Sequence, residues 1–386
     1  MIDILNLIGR SSELFEEDIL ERESQLKEII SNSSFLVLGG AGTIGHAVSA
    51  EIFKRSPKRL HVVDVSENNL VELVRDFRSS IGYIKGDFDT FALDINSPYF
   101  DNFLDKNYGE YDFVLNLSAL KHVRSEKDPF TLMRMIEVNI LNTIKTIDFS
   151  ISSNVKKYFC VSTDKAANPV NMMGASKRIM EMFLVHKSNK LDISSARFAN
   201  VAFSDGSLLY GFNKRIEKGQ PLVAPQDIRR YFVTPKESGE LCLMSCIFGK
   251  NNDIFFPKLN EDFDLIKFSI IAEKYLKSKN LKPIFCESEE EARLLSSKIN
   301  NNSKEWPCYF SKSDTTGEKE YEEFFTDEEK VDYKSFKSIG IVKNDHIESE
   351  ENLINFLETI NEFREYSNYT KEDVVLDFKK LIKDFR

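Results

Sequence analysis

A doubly wound α/β fold, with helices on both faces of a parallel sheet, is the architecture this chain predicts. Three observations carry that expectation. Short, continuous apolar runs recur along the first half, separated by amphipathic helical stretches. A glycine-rich turn follows the first of these runs directly and opens a helix. The composition, 41% hydrophobic with 31 Phe and 13 Tyr, supplies the apolar surface such a sheet needs and excludes a disordered chain.

The elements follow in order. Residues 1–33 form a charged helical leader that ends where Ser31-Asn32-Ser33-Ser34 breaks the helical spacing. Phe35-Leu36-Val37-Leu38 is apolar without alternation, as expected of a strand buried on both faces. Leu60–Val63, Phe91-Ala92-Leu93, Phe113-Val114-Leu115, Tyr158–Val161 and Ile193–Ala196 repeat that grammar, so the sheet domain spans 34–202. From Phe203 the alternation loosens, with Pro221, Pro225 and Pro235 in loops, and 203–330 reads as a second, smaller region. A charged helical tail, 331–386, carries apolar stripes at Leu353, Phe356 and Leu357 and at Val375, Phe378 and Ile382. Those stripes pack either on the body, the favoured reading, or on another subunit.

Charge and composition exclude several function classes. Lys plus Arg total 52 against 62 acidic residues, and the net charge of −10 repels a phosphate backbone, so nucleic acid is not an expected partner. No apolar run approaches the roughly 18 residues of a transmembrane segment, and the acidic start lacks the pattern of a signal peptide. Five scattered cysteines suit reduced thiols, and a cytoplasmic protein is expected. The five histidines are dispersed, and Cys242 with Cys246 has the i,i+4 spacing of core packing, so no metal is expected. There is neither a Gly-x-Ser-x-Gly elbow nor a Walker-type loop.

The chemistry concentrates at strand ends. Gly39, Gly42 and Gly45, with Thr43 and Ile44 between them, form a GxxGxxG turn whose glycines let backbone approach a pyrophosphate while helix-start N–H groups attract its charge. Asp64 ends the next strand, where its carboxylate accepts ribose hydroxyls and repels a 2′-phosphate, which favours NAD over NADP. Asp94, followed by Ile95, either meets the adenine or caps a nearby helix. Ala119, Lys121 and His122 lie after the fourth strand; the small residue lets backbone lie along a ribose. Lys121 and His122 face phosphate or sugar, or simply solvent. Asn139, in the following helix, satisfies a local backbone group. Thr163, Asp164 and Lys165 end the fifth strand and bring together a hydroxyl, an acid and a base. Met173 and Lys177 follow one helical turn apart, on the same face.

With these residues in place the chain resembles the extended short-chain dehydrogenase/reductase group, and within it the nucleotide-sugar 4,6-dehydratases of polysaccharide biosynthesis that act on UDP-N-acetylglucosamine. The resemblance starts at Leu7-Ile8-Gly9-Arg10. It runs through Gly39–Gly45, Asp64–Glu67, Ala119–Val123 and Ser162–Lys165, then Arg197–Val201, Gly206-Ser207, Arg230–Thr234 and Gly317–Glu323. It implies a Rossmann-type NAD-binding domain, a substrate-binding region and conversion of the sugar to its 4-keto-6-deoxy form. In that family the C4 hydroxyl is oxidised, the C5 proton is removed, the C6 hydroxide is eliminated and the hydride returns to C6. The resemblance makes Lys165 the C5 base, Asp164 the acid at the C6 oxygen and Thr163 a hydrogen-bond partner of the C4 oxygen. Lys177 would bind the nicotinamide ribose, and Lys121, His122, Asn200, Arg229 and Arg230 fall to the substrate. A homo-oligomer is expected by the same analogy.

Two departures stand out. Met173 holds the place of the phenol in the group's Tyr-x-x-x-Lys, a pattern shared by a subset of these dehydratases. Methionine moves no proton, so deprotonation of O4 passes to Asp164, Thr163 or water, with Asp164 favoured; Met173 as plain helix packing is the alternative. Thr315-Thr316-Gly317-Glu318 stands where the family has Arg-Pro-Gly-Glu, which loses a guanidinium for the diphosphate unless Arg229 and Arg230 replace it. Alternative functions are a 4- or 5-epimerase on the same scaffold and a catalytically silent NAD-binding protein.

Overall fold

The structure is a computed structural model that describes residues 3–259, 265–300, 302–313, 322–344, 348–366, 369–382 and 385. The chain folds into two compact units. The larger comprises Phe15–Phe198, Ser238–Pro257 and Glu323–Arg386, and the smaller Met1–Leu14, Ala199–Glu237 and Lys258–Glu322.

The larger unit is built on six parallel strands: β1 (Ser34–Leu38), β2 (Arg59–Asp64), β3 (Asp87–Ala92), β4 (Phe113–Asn116), β5 (Lys157–Val161) and β6 (Asp192–Ala196). Their order is β3-β2-β1-β4-β5-β6, the Rossmann arrangement, and the order reverses between β1 and β4. Such a reversal opens a crevice at the carboxyl ends of the strands, because the loops leaving β1 and β4 turn to opposite faces. The strands read as continuous apolar runs because both faces are covered; all five residues of β5 are buried. One face packs Leu36, Leu38, Val114 and Tyr158 against Phe100 and Ile147 of the neighbouring helices.

The chain returns to this sheet after residue 238, which the consecutive boundaries at 33, 202 and 330 do not anticipate. The strand Asp253–Pro257 pairs in parallel with β6. Gly239 lets the preceding helix, Pro235–Phe248, close on the helix Thr43–Phe53, since a Cβ there would lie 2.5 Å from the Ala47 carbonyl carbon. The tail also departs from an all-helical reading. Lys330–Asp332 and Ile339–Lys343 are antiparallel strands that complete a nine-stranded sheet, with Gly340 admitting the Phe256 ring of the neighbouring strand. Only then come the helices Glu350–Tyr366 and Lys371–Leu381, which bury Leu353, Phe356 and Phe378 against Leu132, Ile136 and Ile179 of the same unit.

The leader divides as well. The helix Glu16–Ser31 buries Leu26 and Ile30, and its Asp18 carboxylate accepts the backbone N–H groups of Lys337 and Ser338 at 2.6 and 2.7 Å. Residues up to Leu14 belong to the smaller unit, where Leu7 and Ile8 join a core with Phe212, Ile271, Tyr275 and Trp306. That unit carries a three-stranded parallel sheet in the order Lys282–Phe285, Glu305–Ser311, Leu222–Pro225. Among the described residues no helix is long and apolar enough to cross a membrane.

Candidate functional site

The segments that follow β1 to β5 carry the predicted site residues of the larger unit, with Met173 and Lys177 on the helix Met172–Lys187. After β1, Gly39 takes φ +69, and its backbone passes so close to the next loop that a Cβ would lie 2.7 Å from the Ser118 nitrogen. Gly45 faces the Gly39 carbonyl oxygen with no room for a side chain. The helix Thr43–Phe53 starts at Gly42, which offers no side-chain cap, so its first turn presents N–H groups that suit an anion. Asp64 joins β2 to this turn. One carboxylate oxygen accepts the Ala41 N–H at 3.0 Å and the other accepts that of Ser66 at 2.9 Å. The glycine turn and the carboxylate are thus one construction, with the residue types a dinucleotide requires.

Asp94 caps no helix; Ser97 caps Pro98–Lys106, accepting from the Phe100 N–H. Asp94 accepts the Asn96 N–H at 3.0 Å and pairs with Arg134 at 3.2 Å, while the carbonyl of the buried Ile95 receives Lys145 Nζ at 2.8 Å. After β4, the loop carrying Ala119, Lys121 and His122 is clamped by Asn139, which accepts the Leu120 N–H at 3.0 Å and donates to the Leu120 carbonyl at 3.1 Å. Asn139 sits in a π-helical turn, Glu137–Leu141, and also donates to Ser176 at 2.9 Å. Lys121 and His122 are exposed, and partial desolvation, aided by the Lys121 charge, lowers the His122 pKa.

At the end of β5 the hydroxyl, acid and base meet. Thr163 Oγ1 donates to Asp164 Oδ1 at 2.7 Å, and Lys165 Nζ reaches both Asp164 oxygens, at 3.2 and 3.1 Å. Asp164 is buried and Lys165 half-buried, so the pair keeps one open side. A proton can pass between two groups at this separation without a large movement. The helix Met172–Lys187 closes on this turn through Gly174, where a Cβ would lie 2.5 Å from the Lys165 carbonyl oxygen. Met173 and Lys177 are therefore brought beside the trio, both buried. Lys177 Nζ donates to the Val161 carbonyl at 2.9 Å, and burial lowers its pKa against the opposing pull of Cys160 and Glu181.

Beneath the trio lies a buried ion cluster. Arg197 is fully buried and binds Glu181 through Nε at 3.0 Å and Nη2 at 2.7 Å, Glu329 at 2.8 and 2.9 Å, and the Phe324 carbonyl at 2.8 Å. Ser162, the residue before Thr163, donates to Glu181 at 2.6 Å. Burial disfavours the Arg197 charge, but the carboxylates outweigh it and hold the guanidinium above its ordinary pKa.

The smaller unit holds the remaining predicted residues. The strand Phe232–Val233 pairs in parallel with Asn200–Val201. Arg230 is buried, pairing with Glu322 at 3.2 Å and donating to the Arg229 carbonyl at 2.7 Å. Asn200 also donates to Glu322, whose second oxygen accepts the Tyr231 N–H at 3.3 Å. Arg229 is exposed. Thr315, Thr316, Gly317 and Glu318 lie outside the described residues.

Residues 35–344 match the family described as "Polysaccharide biosynthesis protein". The chain belongs to that family. Among curated relatives, it is 26% identical over 351 residues to the capsular polysaccharide biosynthesis protein CapD of Staphylococcus aureus, covering 90% of this chain and 55% of the relative. It is 31% identical over 241 residues to an uncharacterized membrane protein of Methanocaldococcus jannaschii, covering 61% of this chain and 69% of the relative. To the inverting UDP-N-acetylglucosamine 4,6-dehydratase of Campylobacter jejuni it is 27% identical over 242 residues, covering 60% and 68%. UDP-glucose 4-epimerases of Rickettsia species match at similar identity. Among solved structures, Pen from Bacillus thuringiensis aligns with TM-score 0.65 and 22% identity over 86% of this chain and 98% of that one. WbmF of Bordetella bronchiseptica, solved with NAD+, aligns at TM-score 0.52 and 18% identity over 66% and 81%. At these identities the structural likeness concerns the fold.

Within this polysaccharide biosynthesis chain, sequence reasoning missed Glu181 and Glu329, and gave Gly174 and Glu322 no role. Arg197 lay inside a quoted stretch without a role. An arginine in an otherwise apolar strand end was the available signal, because a buried charge must find partners. The structure also assembles a possible metal-ligand group that dispersed histidines did not suggest, His61 with Asp87 and Asp89. Two of its three members are otherwise engaged: Asp87 pairs with Arg59 at 2.8 Å, and His61 bonds Tyr111 at 2.8 Å. A cavity of about 530 Å³ beside Lys282, Leu295 and Lys298 contains none of the predicted site residues.

Proposed function

We propose that this chain is an NAD-dependent nucleotide-sugar 4,6-dehydratase that takes UDP-N-acetylglucosamine to its 4-keto-6-deoxy product. The observation that carries the reading is the adjacency of Thr163, Asp164 and Lys165 at the end of β5, beside Met173 and Lys177. The glycine turn, the uncapped helix start and Asp64 fit a dinucleotide, and its carboxylate argues for NAD rather than NADP. When bound, NAD supplies a reversible hydride acceptor. Lys177 holds its place beside the end of β5, ready to donate to a ribose hydroxyl.

The chain's own residues account for the protons. Thr163 Oγ1, which donates its own proton to Asp164 at 2.7 Å, accepts the hydrogen bond of the sugar O4 hydroxyl. Asp164 receives the O4 proton and delivers it to the departing C6 oxygen, which leaves as water. Lys165 takes the C5 proton and returns one to C5, so the balance is loss of a single water. The buried side of Asp164 and the open side of Lys165 suit these parts, since the proton on Lys165 exchanges with solvent and that on Asp164 stays enclosed.

Epimerisation is the competing reading, supported by the epimerases among the relatives. It needs neither an acid for a departing hydroxyl nor loss of oxygen at C6. Incubation with UDP-N-acetylglucosamine in deuterated water separates the two by NMR of the product. Loss of the C6 hydroxyl with deuterium at C5 is expected; a product that keeps the C6 hydroxyl would overturn the proposal.

A further inference from the structure

The segment Leu7-Ile8-Gly9-Arg10 has no part in the chemistry above, yet its structure is strongly determined. Gly9 takes φ +88, which turns the chain after the short helix Ile4–Leu7 and aims Arg10 away from the apolar contacts of Leu7 and Ile8. The Arg10 guanidinium then forks onto a fully buried carboxylate, Glu237, with both bonds at 2.6 Å. Glu237 has every lone pair in use, for it also accepts the Leu14 N–H at 2.7 Å and the Thr234 N–H at 2.7 Å. Arg10 itself donates to the Phe232 carbonyl at 3.3 Å, and Thr234 Oγ1 donates to Glu13 at 3.0 Å. The leader is thus tied to Phe232 and Thr234 directly and to Glu237 through Arg10 and Leu14, and the stretch Phe232–Thr234 lies one residue beyond Arg229 and Arg230 and pairs with the strand bearing Asn200.

We infer that Arg10 is a positioning residue for the nucleotide diphosphate of the substrate: through Glu237 it sets the strand and turn from which Arg229 and Asn200 reach the ligand. The inference rests on the nucleotide-sugar reading proposed above and deepens it. The dinucleotide turn belongs to the other compact unit, so NAD serves as the internal control.

The test is calorimetric titration of the full chain with UDP and, separately, with NAD, for wild type, Arg10→Ala, Arg10→Lys and Glu237→Gln, beside steady-state kinetics. Displacement of the strand by a fraction of an ångström is expected to weaken UDP at least about tenfold in Arg10→Ala and to raise KM with kcat little changed. NAD affinity is expected to stay as in wild type. Arg10→Lys, which keeps the charge and loses the fork, is expected to fall between and serves if the alanine variant does not fold. UDP binding within twofold of wild type in both Arg10 variants, or equal weakening of UDP and NAD, would overturn the inference alone. A wild-type chain that binds NAD and no nucleoside diphosphate would overturn the functional reading and this inference with it.

Discussion

Substituting Gly174 by Ala tests the contact that holds the acid–base turn against its helix. An ideal Cβ at Gly174 stands 2.5 Å from the Lys165 carbonyl oxygen and 3.3 Å from Lys165 Cβ, whereas ordinary van der Waals contact begins at 3.4 Å. The obstruction is backbone, so the turn carrying Asp164 and Lys165 must retreat by about 0.9 Å. A misplacement near 1 Å at a reacting group costs about 100-fold in rate, so kcat should fall by roughly 30- to 100-fold. Stability should change much less. Overpacking costs about 1–3 kcal/mol, and alanine returns about 1 kcal/mol of helix propensity, leaving a Tm lower by a few degrees at most. NAD binding should change little, because the glycine turn and Asp64 lie at β1 and β2 and Lys177 keeps its bond to the Val161 carbonyl. Gly211→Ala is the control: it sits in the helix Leu208–Glu217 with nothing within 4 Å of a new Cβ, so Tm should rise slightly and kcat stay put. Steady-state turnover with a thermal melt decides the matter. A Gly174→Ala enzyme with kcat within about threefold of wild type would refute the claim that this contact sets the position of Lys165.

Further outcomes follow from the same structure. Lys165→Ala should abolish elimination while NAD affinity stays unchanged, and detectable 4-keto-6-deoxy product from this variant would remove Lys165 from the mechanism. Asp64→Asn should weaken NAD and improve NADP by removing the charge that meets a 2′-phosphate; titration of both cofactors checks it, and an unchanged ratio would place the ribose elsewhere. Arg197→Met leaves Glu181 and Glu329 buried with only Arg178, 3.5 Å from each, as their cation, at a cost of up to about 3–5 kcal/mol, and Tm should drop by roughly 4–9 °C. The pKa of Glu13 is raised above 4.5 by burial first, then by its hydrogen bond and charge contact with Glu237, so the folded chain keeps a proton that the unfolded chain has released. Stability should therefore fall as pH rises from 4.5 through the raised value, and Glu13→Gln should flatten that slope in denaturant titrations.

The parts of this protein that were legible in its sequence are those whose cause is local. An apolar run between turn residues declares a buried strand, and β1, β2, β4, β5 and β6 lie where such runs predict them. The glycine turn was legible because backbone approach to a phosphate requires glycine at those positions, and the structure leaves no room for side chains at Gly39 and Gly45. The strands at 330–343 were hidden for the opposite reason. Lys330–Asp332 is an edge strand, where charge protects against further pairing, and charge in a sequence reads as a solvated helix or loop. Gly174 looked like an indifferent helix residue because its reason lies across space, in the Lys165 carbonyl.

The same distinction bears on the substrate. Two adjacent arginines, read along the chain, look like equal candidates for a diphosphate and for replacing the guanidinium missing at Thr315-Thr316. Folding separates them. Arg230 is buried against Glu322, a carboxylate that also gathers Asn200 and the Tyr231 N–H, so a diphosphate that engaged Arg230 would have to displace a partner already desolvated with it. Arg229 is exposed on the other side of the same two-residue strand, since successive side chains alternate. Under the proposed nucleotide-sugar function, the exposed charge of this stretch is that of Arg229, while Arg230 is held by Glu322. Arg229→Gln should accordingly weaken UDP without lowering Tm, whereas Arg230→Gln should lower Tm; the reverse pattern would show that Glu322 yields Arg230 to the ligand.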